Sequence, residues 1–279
     1  MRVPDPTPAF TGSIPHIYAT HLVPIIFEPY AADLAARVAR QRPARVLELA
    51  AGTGVVTRAL AHALPAEVEI VATDLSAAML DQAAATPTHR PVEWQQADAQ
   101  QLPFPDGAFD VVVCQFGVML FPERLLAYAE AHRVLRPGGH LIFNVWDRVE
   151  ENDFTDTVVQ AIRPLMREDR VPFLIRIPHG YHDPTVIRAE LARGGFIRPA
   201  AIATVTARSR ADSPHLPAMA LCQGTPTYAE LEERGPGTVQ DATERASVAM
   251  AARYGSGAVE GKLQALVVTV PQADHVSSG

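Results

Sequence analysis

Residues 45–57, RVLELAAGTGVVT, combine a short apolar run with glycines at alternate positions. The run Val46–Leu49, broken by one acid at Glu48, predicts a buried strand. The small residues that follow allow the backbone to turn sharply and to approach a ligand closely. From Val55 onward the pattern is helical, so the turn presents free backbone N–H groups at a helix N-terminus. We therefore expect a nucleotide-like ligand at this turn.

The rest of the chain alternates strands with helices. Further strands are predicted at residues 67–74, 91–98, 109–118, 139–146, 202–207 and 263–270. Helices are predicted at residues 17–40, with breaks at Pro24 and Pro29, and then at residues 55–64, 76–84, 122–135 and from Pro184 to Gly194. This order predicts an α/β fold with a parallel sheet and right-handed crossovers.

Composition narrows the class of protein. The 279 residues are 48% hydrophobic, which is enough for one large domain with a substantial core. A net charge of −7 without a long basic run argues against nucleic acid as the main partner. Two cysteines form neither a disulfide framework nor a zinc site, and no apolar run resembles a signal peptide or a membrane span. We expect a cytoplasmic protein without a metal ion that acts on a small molecule, and we allow for a homodimer.

Two kinds of cofactor are bound at a glycine turn after the first strand. Dinucleotide-binding proteins need G-x-G-x-x-G, whose third glycine lets the helix and the strand pack closely. Here Gly52 and Gly54 are followed by Val55, Val56 and Thr57, so a β-branched residue occupies that place. A nicotinamide-dependent reductase is therefore the poorer interpretation.

Four segments, in order, instead resemble the motifs of class I S-adenosylmethionine (SAM)-dependent methyltransferases. The first is Glu48 followed by small residues at alternate positions, with Ala50 where the family has its first glycine. The second is Asp74, at the end of the second predicted strand. The third is residues 97–110, ADAQQLPFPDGAFD, and the fourth is residues 133–139, RVLRPGG. The chain looks most like the subgroup of ubiquinone and menaquinone biosynthesis methyltransferases.

The resemblance implies a Rossmann-like, seven-stranded, mostly parallel sheet whose last strand is antiparallel, with helices on both faces and a helical cap built from insertions. It implies SAM as cofactor and S-adenosylhomocysteine as product. In the family, Asp74 would meet the ribose hydroxyls, Asp98 the adenine and Glu48 the methionine end. The cofactor-binding residues so implied are Glu48, Ala50, Gly52, Thr53, Gly54, Asp74, Leu75, Met79, Asp98, Ala99, Gln115, Phe116 and Tyr18. Packing in the core is the alternative role for Tyr18, Met79 and Phe116.

We predict a single methyltransferase domain over residues 1–279. It would consist of an N-terminal helical lid at 1–40, a SAM-binding core at 41–147, and cap insertions at 148–180 and 212–258. Residues 1–15 are predicted to form an arm, and relatives often fold the segment of Phe10 and Tyr18 over the cofactor. The insertions would line the acceptor site with Phe154, Met166, Phe173, Met219, Leu221 and Tyr228, and could bind an acidic group through Arg163, Arg170 or Arg176.

The implied reaction is in-line transfer of a methyl group to oxygen or carbon of a small, partly hydrophobic organic acceptor. Because the sulfonium already activates the methyl group, alignment and exclusion of water would carry the catalysis. The catalytic residues stay unassigned, with His182 and His21 as candidates for a base and His16 and His179 in other segments that could form a lid. The alternative function is a catalytically inactive SAM-binding sensor or partner protein.

Overall fold

A computed structural model describes residues 14–273 and contains a seven-stranded sheet. In chain order the strands are β1 (Arg45–Leu49), β2 (Glu69–Asp74), β3 (Glu93–Gln96), β4 (Phe109–Gln115), β5 (Leu135–Trp146), β6 (Ala201–Ala211) and β7 (Val259–Pro271). Across the sheet the order is β3-β2-β1-β4-β5-β7-β6. Pairs from β3 to β5 are parallel, and β7 is antiparallel to both of its neighbours. The predicted fold class is confirmed.

Three strands are longer than the sequence pattern predicts. β5 begins at Leu135 because that residue already pairs with Phe109, before a bulge in the ladder. β6 and β7 stay paired from Ala201 opposite Thr269 to Ala211 opposite Val259. β6 is the outer strand and most of its residues are exposed or half-buried, so hydrophobic alternation marks only part of it.

The helices lie before the first strand, between the strands and in the two insertions. They are α1 (Ile14–Ile17), a π-helix (Tyr18–Phe27), α2 (Glu28–Arg40), α3 (Val55–Ala63), α4 (Ala77–Ala84), α5 (Arg124–Val134), α6 (Asp153–Ile162), α7 (Phe173–Arg176), α8 (Pro184–Arg193), α9 (His215–Gln223), α10 (Thr227–Glu232) and α11 (Thr238–Tyr254). The predicted N-caps are confirmed: Ser76 accepts from the Met79 N–H, and Asp183 from that of Thr185. None of the helices between residues 14 and 273 is both long and apolar enough to cross a membrane.

The predicted break at Pro24 is wrong. Pro24 lies inside the π-helix, which continues directly into α2, and the Glu28 N–H donates to the carbonyl of Val23, five residues back. Five side chains of this helix are buried, so tertiary packing outweighs the cost of the proline. Pro29 lies in the first turn of α2, where the helix changes from π to α, and no loop interrupts the helix there. Phe10 and most of the predicted arm lie outside the described residues.

Two of the four motif segments fasten loops of the sheet. Arg133 donates to the carboxylates of Glu130 and Asp106 and to the carbonyls of Leu102 and Phe104. Asp110 accepts from the N–H groups of residues 44 and 45 at the start of β1, both at 2.7 Å. These contacts hold the third and fourth segments against the amino end of β1.

The strand order reverses direction between β1 and β4, which are neighbours although four elements separate them in the chain. In open α/β sheets, ligands bind outside the carboxyl ends of the strands at such a switch point. The loops that meet there begin at Ala50 and Phe116. Gly117 packs so tightly that an added Cβ would lie 2.6 Å from the Ala50 Cβ. The topology therefore places the glycine turn at the expected ligand position.

Candidate functional site

The turn after β1 takes left-handed backbone at three alternate residues. The φ angles are 51° at Ala50, 56° at Gly52 and 80° at Gly54. A Cβ on Gly52 would meet no atom within 4 Å, whereas one on Gly54 would lie 2.9 Å from both Arg58 and Trp94. Gly54 thus lets α3 pack closely on its neighbours, and Gly52 leaves the backbone open toward empty space. Ala50 adopts the conformation that the first family glycine would adopt without strain.

Asp74 fastens the same turn from the end of β2. Its Oδ2 accepts from the Gly52 N–H and its Oδ1 from the Ser76 N–H, both at 2.8 Å. Burial raises the pKa of Asp74, while these N–H groups oppose the shift. The carboxyl group therefore links the glycine turn to the start of α4, and it is half-buried at the edge of the crevice.

Glu48 is the buried acid of β1. Only 2% of the residue is exposed, and Oε2 accepts from the Thr57 hydroxyl at 2.6 Å. Burial raises the pKa of Glu48 to about 8, because removal from water disfavours the charged carboxylate more than Thr57 and Arg58 favour it. Without a cationic ligand the carboxyl group is thus largely protonated at neutral pH.

A small cavity of about 280 Å³ lies over the glycine turn, and we call it the turn cavity. Six of the thirteen predicted cofactor-binding residues line it: Tyr18, Glu48, Ala50, Gly52, Thr53 and Gln115. Phe27, Ala51, Val55 and Val56 complete the lining, and Phe27 was not predicted. A sequence signal for Phe27 does exist in hindsight, since it ends an apolar run near Tyr18.

The other predicted residues lie around this cavity rather than in its wall. Gly54 and Asp74 shape the turn as described, and Met79 is buried on α4. Leu75 is 40% exposed, and Ala99 is buried beyond β3. Asp98 accepts from the Gln100 N–H at 2.8 Å, which orders the loop after β3. Their cofactor contacts stay predictions.

The residues that line the turn cavity fit a ligand that carries hydrogen-bond donors. The Gln115 Oε1 atom is buried and has no hydrogen-bond partner, while its Nε2 donates weakly to the Phe27 carbonyl at 3.4 Å. A buried acceptor of this kind is costly unless something donates to it. Gly52, with open space where a side chain would stand, offers the close backbone approach that a nucleotide needs. An ammonium and a ribose at this position would satisfy both features.

A second cavity of about 630 Å³, partly open to solvent, lies beside the first, and we call it the aromatic cavity. Aromatic side chains form much of its wall: Tyr18, Phe27, Phe116, Trp146 and Phe173. Its polar lining consists of Asn152, Thr155, His179 and Thr225. Tyr18 and Phe27 line both cavities, so the two spaces share a wall made by the π-helix.

Phe116 begins the loop after β4, which meets the glycine turn after β1. Its ring stacks on Trp146 with centroids 3.8 Å apart and planes 9° from parallel. Its backbone has a φ of 51°, unusual for a bulky residue, and its N–H donates to the Asn144 Oδ1 at 2.9 Å. Strain of this kind is retained where surrounding contacts fix it, often beside a binding site. Phe116 thus lines the aromatic cavity, not the turn cavity.

Neither named histidine candidate lines the cavities. His21 and His182 are half-buried, and His182 Nδ1 bonds to the carbonyl of His179 at 2.7 Å. His179 is the histidine in the wall of the aromatic cavity, with 4% of its surface exposed. Its Nδ1 lies 2.7 Å from the Asp147 carbonyl oxygen. The sequence placed it only in a segment that could form a lid.

Two of the side chains predicted to line an acceptor site lie in the wall of the aromatic cavity, and the others do not. Phe173 and Leu221 line the aromatic cavity. Phe154 instead packs on Tyr254 inside the core, and Met166, Met219 and Tyr228 lie outside the cavity wall. Two of the arginines are bound elsewhere: Arg176 pairs with Glu230 at 2.9 Å, and Arg170 faces the same carboxylate at 3.6 Å. Arg163 borders a separate surface depression.

Comparison with known proteins identifies the central part of the chain. The sequence profile of a family described as "Methyltransferase domain" matches residues 47–143. The chain is 40% identical to the demethylmenaquinone methyltransferase of Deinococcus radiodurans over 110 residues, 39% of this chain and 45% of that protein. It is 37% identical to the ubiquinone/menaquinone biosynthesis C-methyltransferase UbiE of Coxiella burnetii over 106 residues, 35% and 41% of the two chains. It thus spans less than half the length of either relative.

A solved structure extends the likeness in fold. It is phospholethanolamine N-methyltransferase 2 of Haemonchus contortus in complex with phosphomonomethylethanolamine and S-adenosylhomocysteine. The two chains superpose with a TM-score of 0.56 at 13% identity, over 94% of this chain and 57% of that one. At that identity the likeness concerns the fold alone. It includes the insertions that the sequence matches leave out.

Proposed function

We propose that the chain transfers a methyl group from SAM to a small, partly hydrophobic organic acceptor, because residues 47–143 match the methyltransferase-domain family and resemble ubiquinone and menaquinone biosynthesis methyltransferases. One observation carries the proposal. The turn cavity and the aromatic cavity share the side chains of Tyr18 and Phe27. A cofactor in one cavity and an acceptor in the other would therefore meet at a common boundary.

Bound SAM supplies a methyl group activated by the neighbouring sulfonium charge. The chain would hold it with residues at or just beyond the carboxyl ends of four strands, β1 to β4. Asp74 would accept from the ribose hydroxyls, Glu48 and Gln115 would face the amino-acid end, and Asp98 would lie toward the adenine. The orphaned Gln115 Oε1 and the open space at Gly52 support this placement.

The aromatic cavity would take the acceptor. Its wall is formed mainly by rings and aliphatic side chains, which favours a flat apolar body. An acceptor held there would have one end near Tyr18 and Phe27, toward the transferable methyl group. The methyl carbon would be attacked at oxygen or carbon of the acceptor.

The protein's part in catalysis would be alignment and exclusion of water. Two reactants held in an attack geometry reach effective molarities on the order of 10⁵ M or more. The buried rings of Phe27, Phe116 and Trp146 keep the acceptor side dry. The division into an N-terminal lid, a SAM-binding core and cap insertions is part of this proposal. In it the π-helix closes over both ligands.

The test combines binding with turnover. We expect calorimetry to show S-adenosylhomocysteine binding at micromolar concentrations and stronger than NAD(H), and labelled SAM to transfer its methyl group to a member of a panel of phenols, quinol precursors and β-dicarbonyls. Stronger binding of NAD(H) would overturn the cofactor assignment. Tight binding of the cofactor product without transfer to any acceptor would instead favour the inactive sensor.

The class of acceptor, the cellular location and the oligomeric state belong to the same proposal. We propose that the acceptor is a small molecule and not nucleic acid, in keeping with the net charge of −7. We propose a cytoplasmic site of action, which fractionation of cells would test. A homodimer remains a prediction that light scattering of the purified chain would decide.

A further inference from the structure

His179 holds one ring nitrogen in a fixed hydrogen bond inside the aromatic cavity. Its Nδ1 lies 2.7 Å from the Asp147 carbonyl oxygen. A carbonyl oxygen can only accept, so Nδ1 carries the hydrogen of this bond. In a neutral imidazole the other nitrogen, Nε2, is then an acceptor. The bond to Asp147 thereby fixes which tautomer the ring adopts.

The surroundings hold this ring in its neutral state. His179 is 4% exposed and its ring lies 6.0 Å from that of Trp146. Burial and, to a lesser extent, the nearby His182 lower the pKa of His179 to about 4, against the opposing effects of Asp147 and Glu150. At neutral pH the side chain is therefore an uncharged acceptor and not a strong base. A neutral acceptor suits a ligand that offers an O–H or N–H group.

Of the other polar groups of the wall, Asn152 and Thr225 are already engaged, and Thr155 offers only a hydroxyl oxygen, which is a weaker acceptor than an imidazole nitrogen. The Asn152 amide donates to the carbonyls of Arg148 and Gln264 and accepts from the Gln264 N–H. The Thr225 hydroxyl donates to the carbonyl of Leu221. These bonds hold the cap against β7 and leave little capacity for a ligand. The imidazole of His179 is thus the strongest acceptor that the wall offers to an acceptor molecule.

We propose that His179 is a positioning residue that recognises a hydroxyl group on an aromatic acceptor through a hydrogen bond accepted at Nε2. The inference rests on the proposed function and specifies the acceptor class: a flat apolar ring system with one hydroxyl. The ring would lie along the stacked rings of Phe116 and Trp146. The hydroxyl would fix the rotation of that ring relative to the shared boundary at Tyr18 and Phe27.

The experiment compares two probes on protein saturated with S-adenosylhomocysteine. 2-Naphthol offers an aromatic hydroxyl, and 2-methoxynaphthalene presents the same ring without a donor. Calorimetry should show that the wild-type chain binds the naphthol about fivefold more tightly, as expected for one hydrogen bond. His179→Phe and His179→Leu should bring the ratio close to one. His215→Phe, an exposed histidine bonded to Ser247, should keep the wild-type ratio.

The ratio of the two affinities separates recognition of the hydroxyl group from a general structural effect, because a structural effect would weaken the binding of both probes alike. Variants are compared only if their affinity for S-adenosylhomocysteine stays within about twofold of wild type. A wild-type ratio near one, no binding of naphthol to the loaded protein, or a preference retained after His179→Phe or His179→Leu would overturn the inference. Failure of S-adenosylhomocysteine itself to bind would overturn the proposed function instead.

Discussion

Glu48 keeps its carboxyl group at 2% exposure, with the Thr57 hydroxyl as donor. Its pKa is raised from the ordinary 4.5 to about 8 in the folded chain, mainly by burial. Between these two values the folded state holds a proton that the unfolded state has released. The free energy of unfolding therefore falls as the pH rises through that window, and the loss is complete above about pH 8.

Glu48→Gln should remove this pH dependence. In the ligand-free wild type, the free energy of unfolding should fall by up to about 2 kcal/mol from pH 6.5 to 8, at a limit of about 1.4 kcal/mol per pH unit. The amide of the variant does not titrate, yet it can still accept from Thr57. Urea unfolding at several pH values measures the slope. Glu67→Gln, at an exposed acid, should leave the slope unchanged, and a sloping Glu48→Gln profile would contradict the assignment.

Asp74→Ala should weaken binding of S-adenosylhomocysteine by roughly 1–3 kcal/mol, because charge-assisted hydrogen bonds to the ribose and to the Gly52 N–H are lost together. Calorimetry measures the change. Ser76→Ala is the matched control, since it removes the N-cap of α4 but keeps the carboxylate. Ser76→Ala should lower the free energy of unfolding by about 1 kcal/mol and leave the affinity for S-adenosylhomocysteine unchanged. Equal affinities for Asp74→Ala and wild type would remove the ribose assignment.

At the scale of the element, the glycine turn contains two glycines with different tasks. Gly52→Ala adds a Cβ into open space and Gly54→Ala adds one against Arg58 and Trp94, both on left-handed backbone. We expect each to lose about 1–2 kcal/mol of stability from the backbone alone. Gly54→Ala should lose more because α3 must shift, whereas Gly52→Ala should lose more cofactor affinity. Melting temperatures and calorimetry on the pair test the assignment, and the reverse ranking would refute it.

Local signals predict the elements well and their continuity poorly. Ser76, Asp183 and Pro184 act within one helical turn, so the starts of α4 and α8 follow from the sequence. Pro24 is different, because its helix is held by contacts with distant parts of the core. One example is the Ser209 hydroxyl of β6, which donates to the Ile25 carbonyl at 2.8 Å. Such a contact, with most of the chain between its partners, leaves no trace in the local pattern.

At the scale of the whole molecule, the π-helix covers both cavities. The turn cavity is narrow: its volume of about 280 Å³ includes its opening to solvent. Burial also raises the pKa of Tyr18, which lies over Asp74 and the turn. We therefore expect this helix to move outward when a cofactor enters and then to close over it.

Hydrogen exchange should detect that movement. Amides of Tyr18–Phe27 should exchange several-fold more slowly once S-adenosylhomocysteine is bound, since binding stabilises the closed position of the helix. Mass spectrometry of peptides from this segment measures the rate, with the peptide of α11 as an internal reference that should not change. Equal rates in both states would show that the helix does not close over the ligand.

Much of the wall of the turn cavity was predictable from the sequence, because it lies in the first motif or at the end of a strand. Glu48 and Gln115 lie at the ends of strands whose order follows from the pattern, and Gly52 lies in the turn after β1. The aromatic cavity brings together the N-terminal helix, β4, β5 and both insertions, and these contacts depend on packing across the whole chain. His179 could therefore not be distinguished from the other histidines before the cavity was seen.

The shared wall of Tyr18 and Phe27 also bears on the kinetics of turnover. If the π-helix must close for either ligand to bind, the ligand that binds first loses the free energy needed to close it. The second ligand then binds a protein that is already closed. By thermodynamic linkage each ligand then strengthens the other by the same factor. We expect synergistic addition in either order, and a dead-end complex of S-adenosylhomocysteine with unreacted acceptor. Reopening of the helix, and not methyl transfer, would then limit the rate at high acceptor concentration.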